Sequence, residues 1–125
     1  MCLASFLFAG EIKLYDNYEK AFEVAKQTKK DLMLLITDEN CFFCVKMRDD
    51  VFKNATVIEY VNRYFVVADV NIYKRNYPYE KFKAVGPPTI FFIDKNEKII
   101  GKRVSGFRYV EELIKEIEKV KGVRQ

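Results

Sequence analysis

Two cysteines three positions apart, Cys41 and Cys44, enclose Phe42 and Phe43. At that spacing both sulfurs fall on one side of a helical turn, where a dithiol and a disulfide can interconvert. Upstream, Leu32-Met33-Leu34-Leu35-Ile36 is a continuous apolar run of strand length, and Thr37-Asp38-Glu39-Asn40 supplies turn and capping residues before a helical pattern begins. Cys41 is therefore expected at a helix N-terminus. There, unpaired amide N–H groups and the helix dipole favour a negative sulfur, and the thiolate is the nucleophilic form. Cys41 is assigned as the attacking sulfur. Cys44, one turn further in, is expected to be more buried and to resolve a mixed disulfide by attacking Cys41 from within.

Other uses of the pair fit less well. A zinc or iron–sulfur site needs further soft ligands, whereas the chain has no histidine and only Cys2 as a third cysteine, so no metal site is expected. A structural disulfide closing so short a loop adds less entropic stabilisation than a longer one. Two buried free cysteines are the remaining alternative. The lack of histidine also removes Cys-His and Ser-His-Asp nucleophiles, and the only serines are Ser5 and Ser105. Hydrolase chemistry falls with them.

The elements that must position the dithiol can be read in order. Met1–Gly10 is apolar and stops at Glu11, which fits either an export-signal remnant or a first strand. Residues 1–14 are accordingly read as an N-terminal segment and residues 15–125 as one domain. Tyr18, Ala21, Phe22 and Ala25 fall at helix-face spacing, with Asp16 or Asn17 as the cap and Lys26, Lys29 and Lys30 at the far end. The cysteine helix is extended from Cys41 to about Phe52. Asn54 can cap a further helix carrying Val57, Ile58 and Val61, which Asn62 and Arg63 close. Phe65 to Val70 reads as a buried strand interrupted by one carboxylate, Asp69. That group is either at a solvated strand end or tucked near the dithiol, where it could accept a proton from Cys44 with a raised pKa.

Tyr73–Ala84 interleaves Tyr77, Tyr79 and Phe82 with Lys74, Arg75, Lys81 and Lys83. It is short, and it is read as a connection packed on the domain edge, with a brief helix after Pro78, rather than as a nucleic-acid surface. Gly86-Pro87-Pro88-Thr89 precedes the strand Ile90–Ile93, an entry that calls for one proline to fix a tight turn, with either a trans or a cis bond. Asp94–Glu97 is a hairpin loop and Lys98–Val104 the returning strand, with Gly101 as a bulge. Val110, Leu113, Ile114, Ile117 and Val120 stripe a last helix.

Composition bounds what this domain can do. Half of the 125 residues are hydrophobic, which suits one sizeable core, and no apolar run approaches the ~20 residues that span a bilayer. No stable membrane insertion is expected. The net charge of +4 arises from mixed-sign clusters such as Glu111–Lys121, so no nucleic-acid partner is expected either. Phe42 and Phe43, beside a reactive thiol, suggest a docking surface for protein, with one ring exposed and the other turned inward.

The order of parts, with CxxC after the first core strand and a Pro-Thr entry into a later hairpin, resembles the thioredoxin fold. Within that superfamily, Gly86–Asp94, then Arg103-Val104-Ser105-Gly106-Phe107, and Cys41-Phe42-Phe43-Cys44 with Lys46 and Met47, are similar to the C-terminal thioredoxin-like domains of the DsbD family. The resemblance runs from about Tyr15 to Val120. It implies an α/β fold, a three-layer α/β/α sandwich with a central mixed sheet. It also implies that Cys41 is the nucleophile, Cys44 the resolving cysteine and Pro88 the cis-proline beside them. Phe42, Phe43, Pro87, Pro88 and Thr89 would line the groove where a substrate chain lies extended.

Departures matter too. Thioredoxins usually carry Trp before the first cysteine and Gly-Pro inside the motif, whereas Asn40, Phe42 and Phe43 stand here and the chain has no Trp. Leu35 occupies the place of the fold's buried acid, which is a motive for considering Asp69 as the proton acceptor. DsbD joins its domain to a membrane electron-transfer domain; with no such segment here, a separate upstream thiol reductant is expected. The reading is a monomeric thiol:disulfide oxidoreductase acting as a reductase of protein disulfides, with no cofactor beyond the redox-active Cys41–Cys44 disulfide. Its expected compartment is periplasmic or otherwise extracytoplasmic, with the cytoplasm as the alternative. The competing functions are a disulfide oxidase or isomerase, and a non-catalytic binding or chaperone module using the groove around Phe42, Phe43 and Pro88.

Overall fold

The computed structural model describes residues 10–122. Five strands, β1 (Leu14–Tyr15), β2 (Asp31–Thr37), β3 (Phe65–Asn71), β4 (Thr89–Ile93) and β5 (Val104–Ser105), form one sheet in the order β1-β3-β2-β4-β5. Strands β1, β3 and β2 run parallel, β4 runs antiparallel to β2, and β5 antiparallel to β4. Four helices, α1 (Tyr18–Gln27), α2 (Phe42–Asp49), α3 (Ala55–Tyr64) and α4 (Val110–Lys121), complete the domain.

Alternation along β2 creates two cores. Leu32, Leu34 and Ile36 pack with Tyr18, Ala21 and Ala25 of α1, while Met33 and Leu35 pack with Met47 of α2, Val57 and Val61 of α3, and Leu113 and Ile117 of α4. Side chains two apart in a strand share a face, so one strand buried on both sides glues a helix layer to each. The expected three-layer sandwich with a mixed sheet is the fold observed.

Local signals account for the helix starts. Asn17 accepts the Lys20 N–H at 2.8 Å, and Asn54 accepts those of Thr56 and Val57 at 2.9 and 3.1 Å, capping α1 and α3. The stripe expected on the last helix packs as read: Leu113 and Ile117 are buried, with Val110, Ile114 and Val120 partly so. Gly122 closes α4 in the left-handed conformation.

Three expected elements differ. The cysteine helix does not run to Phe52; it ends at Asp49, Asp50 leaves helical geometry, and a 3-10 turn at Val51–Lys53 seats Val51 and Phe52 in the core. The segment after Pro78 is a turn, with the Pro78 carbonyl accepting from Lys81 and Phe82, because this connection exists to drop Phe82 and Tyr77 into the core on the α1 face. The returning strand is also shorter than Lys98–Val104. Ile99 bridges Ile93, but Gly101 then turns to φ +71°, which breaks the extended backbone, and pairing resumes only at Val104–Ser105. The stretch Met1–Gly10, apart from Gly10, lies outside the described residues.

Candidate functional site

The dithiol sits where β2 hands over to α2. Asp38 builds the loop between them: its Oδ2 accepts the Asn40 N–H at 3.1 Å, its Oδ1 the Asn71 side-chain amide at 3.2 Å, and its carbonyl the Cys41 N–H at 3.2 Å. Cys41 is the N-cap of α2, with extended φ −97° and ψ 113°. Its Sγ accepts the Cys44 N–H at 3.1 Å. A cap accepts what the first turn leaves unpaired, so this sulfur lies where a negative charge is stabilised. The two cysteines are disulfide-bonded, with Cα atoms 5.2 Å apart. Cys41 is partly exposed, whereas Cys44 has no exposed surface.

The helix period decides which side chains face the sheet. Cys44, Met47 and Arg48 point inward, so Phe42 and Phe43 are both turned outward, 71% and 49% exposed. The expectation of one inward ring is thereby corrected, since the inward positions are already taken. Instead the rings pack on one another, edge to face at 5.2 Å, and Phe43 meets Phe107 at 5.4 Å. Phe107 in turn meets Tyr109 at 4.9 Å, edge to face. Four aromatic side chains thus form one connected cluster that starts from the two residues between the cysteines.

The β4–β5 hairpin brings the second part of the site. Ile36 pairs with Thr89, which sets Pro88 level with the end of β2 and the loop leading to Cys41. The peptide bond between Pro87 and Pro88 is cis. Pro88 is buried, and its carbonyl accepts the Gly106 N–H at 2.8 Å. Buried Thr89 donates its hydroxyl to the Gly86 carbonyl at 2.7 Å, closing the turn from within.

Asp69 lies on β3 in register with Leu35, on the sheet face that α2 covers. Its Oδ1 accepts the Thr37 hydroxyl at 2.7 Å and its Oδ2 pairs with Arg48 of α2 at 3.3 Å. Burial pushes its carboxyl above the ordinary range, and Thr37 and Arg48 act against that rise. Neither of the solvated-end and near-dithiol alternatives describes it fully: it is a mostly buried carboxylate fastened to the dithiol helix. Three contributors escaped the residue patterns, namely Phe107, Tyr109 and Arg48. The Gly106-Phe107 pair was visible in the sequence as a motif; that its ring would reach Phe43 was not.

Among the described residues, no cluster of His, Cys, Asp and Glu side chains is arranged to hold a metal ion, and no helix is long and apolar enough to cross a membrane.

A dithiol at the first turn of a helix, following a central parallel strand in this mixed sheet, defines the class of thioredoxin-fold thiol:disulfide oxidoreductases. The chain belongs to the thioredoxin-like domain family, whose model matches residues 18–121. A thioredoxin from Thermus thermophilus, 25% identical, superposes with a TM-score of 0.73 over 89% of this chain and 88% of its own. A DsbH oxidoreductase shares the fold at 19% identity and a TM-score of 0.76, covering 94% of this chain and 90% of its own. The oxidised C-terminal domain of Neisseria meningitidis DsbD does so at 17% identity and 0.64, covering 90% of this chain and all (100%) of its own. No curated protein matches the sequence.

Proposed function

We propose that this protein reduces disulfides in other proteins. Cys41 Sγ, as thiolate, attacks a substrate sulfur; the S–S bond breaks, the departing sulfur leaves as a thiolate that takes up a proton, and Cys41 is held in a mixed disulfide. Cys44 then loses its proton and attacks Cys41 Sγ, releasing the second substrate sulfur and closing the Cys41–Cys44 bond. The substrate gains two electrons and the dithiol loses them. The observation that carries this reading is the division of roles between the sulfurs: Cys41 partly exposed and capping α2, Cys44 sealed beneath it.

Asp69 serves as the proton acceptor for Cys44, supported by its place on the face covered by α2 and its raised carboxyl. Phe42, Phe43 and Pro87 face the substrate groove and Phe107 extends it, whereas buried Pro88 and fully buried Thr89 shape the turn behind it and do not line it as expected. Pro88 is the cis-proline beside the dithiol. Two consecutive prolines have no N–H groups and the Pro88 carbonyl is taken by Gly106, so a substrate strand passing them is held there through the Pro87 carbonyl and by apolar contact with the rings. The dithiol needs no other cofactor; an upstream thiol reductant recharges it. The working form is a monomer in a periplasmic or other extracytoplasmic compartment, a placement supported by likeness to DsbD and DsbH folds.

The test is a trap. Cys44→Ala, expressed in the native compartment, should accumulate mixed disulfides through Cys41 that dithiothreitol releases, and Cys41→Ser should accumulate none. Failure of Cys44→Ala to retain any protein would refute turnover on protein disulfides.

A further inference from the structure

The connection from β3 to β4 leaves the sheet at the dithiol end and builds a cavity there. Asn71, the last residue of β3, gives its side-chain amide to Asp38, whose carbonyl holds the Cys41 N–H. Its side-chain oxygen accepts the Tyr73 and Lys74 N–H groups at 2.9 and 3.0 Å, and its carbonyl the Arg75 N–H at 3.0 Å. That turn puts Arg75 at φ 53°, a left-handed conformation that glycine or asparagine adopts more readily, so an arginine side chain is kept there against the preference of the backbone. Its guanidinium lies over the Tyr79 ring at 4.6 Å. Arg75, Tyr77, Tyr79, Glu80, Lys83 and Ala84 line an open cavity of about 330 Å³. The donors around it are unused: among the described residues neither Arg75 nor Lys83 pairs with a carboxylate, and the Tyr77 hydroxyl makes no hydrogen bond. Burial raises the Tyr77 phenol above its ordinary pKa, against the pull of Arg75, so at neutral pH it is a donor. Arg103, donating to the Lys83 carbonyl at 2.8 Å, brings a third cation to the same segment, where the cavity wall holds one acid, Glu80.

We propose that this cavity is a substrate subsite that takes an acidic side chain of the disulfide-bearing polypeptide, with Arg75, Lys83 and Tyr77 holding the carboxylate and the Tyr79 ring and Ala84 covering its methylenes. The inference rests on the proposed reduction of protein disulfides and adds a substrate preference to it. A planar guanidinium stacked on a ring keeps its fork of N–H donors free for a carboxylate, and a partly enclosed wall strengthens that pairing relative to open solvent. From Ala84 to Pro88 the chain spans at most about 14 Å, so a strand lying along it carries the acid about three to five residues from the cysteine under attack.

The experiment follows reduction, by the full chain, of peptides that carry one disulfide and a single Glu moved through the positions on either side of one cysteine, each compared with its Gln counterpart. Glu at the matching position should lower KM by about three- to tenfold with kcat unchanged, and the difference should shrink as salt is raised. Arg75→Gln and Lys83→Gln should each bring the Glu-to-Gln ratio of kcat/KM toward one, Arg75→Lys should retain part of it, and Glu80→Gln should enlarge it. A general loss cancels in that ratio. Should Arg75→Gln distort its turn, Lys83→Gln, on a separate part of the wall, reads the charge by itself. Glu and Gln peptides reduced equally at every position, or a ratio indifferent to both Arg75 and Lys83, overturn the subsite and leave the reductase reading standing. Reduction of no peptide by the unsubstituted protein overturns both.

Discussion

Leu35 and Asp69 stand side by side in the parallel β2–β3 pair, so an alkyl side chain and a carboxylate share the sheet face that α2 covers. The β2 member of this register pair is apolar, and the charge stands on the neighbouring strand. There it is reached by Arg48 from above and Thr37 from the side. Burial still outweighs both partners and raises the Asp69 carboxyl.

That direction has a consequence for stability. Between the ordinary carboxylate value and its raised native value, Asp69 binds more protons folded than unfolded, so its contribution to stability is lost as pH rises through that window. Asp69→Asn should remove this dependence. Urea midpoints from mildly acidic to neutral pH should show the variant gaining relative to the unsubstituted protein as pH rises; a relative loss would show that the carboxyl is depressed rather than raised.

The aromatic cluster makes a separate prediction. Phe42 and Phe43 are exposed and Phe43 leans on Phe107, so truncating any of them removes contact area for a polypeptide without touching the sulfurs. Aromatic contacts are worth about 0.5–1.5 kcal/mol beyond area, so Phe42→Ala, Phe43→Ala or Phe107→Ala should each raise KM for a protein disulfide by about two- to tenfold. Turnover of a small aromatic disulfide reagent should stay within about twofold. Equal losses on both substrates would mean the rings hold the dithiol, not the substrate.

Gly101 should resist substitution where Gly86 does not. At φ +71° an added Cβ would lie 3.1 Å from Val120 Cγ1 of α4, whereas at Gly86 it would meet nothing within 4 Å. Gly101→Ala should therefore cost about 1–2 kcal/mol in chemical denaturation, and Gly86→Ala about 0.5 kcal/mol or less. Equal costs would place the constraint elsewhere.

The turn before β4 hangs on one buried hydroxyl. Thr89→Val keeps the shape but leaves the Gly86 carbonyl without the Thr89 donor, at a cost of about 1–3 kcal/mol. Thr89→Ser, which retains the donor, should recover most of it in thermal melts. If serine is no better than valine, the methyl group rather than the hydrogen bond holds the turn.

What the sequence determined by itself was local: the apolar run of β2, the asparagine caps of α1 and α3, the stripe of α4 and the seat of Cys41 at a helix start. Each follows from a period or a cap that operates within a few residues. Resemblance in the motifs then carried the class of fold. Tertiary structure alone decided what meets what. Phe42 and Phe43 both face outward because Cys44, Met47 and Arg48 fill the inward side of α2, a competition visible only once that helix is laid on the sheet. Phe107 joins the cluster because β5 pairs with β4 and delivers it to Phe43. The end of α2 at Asp49 and the turn after Pro78 were decided the same way, by Phe52, Tyr77 and Phe82 finding the two cores. Asp69 reads as an anomaly along the chain and becomes half of a pair only when strand register sets it beneath Arg48. Local rules act over one turn or one pleat; register and layer packing join residues far apart in sequence, and those contacts fix the charges and rings around the dithiol.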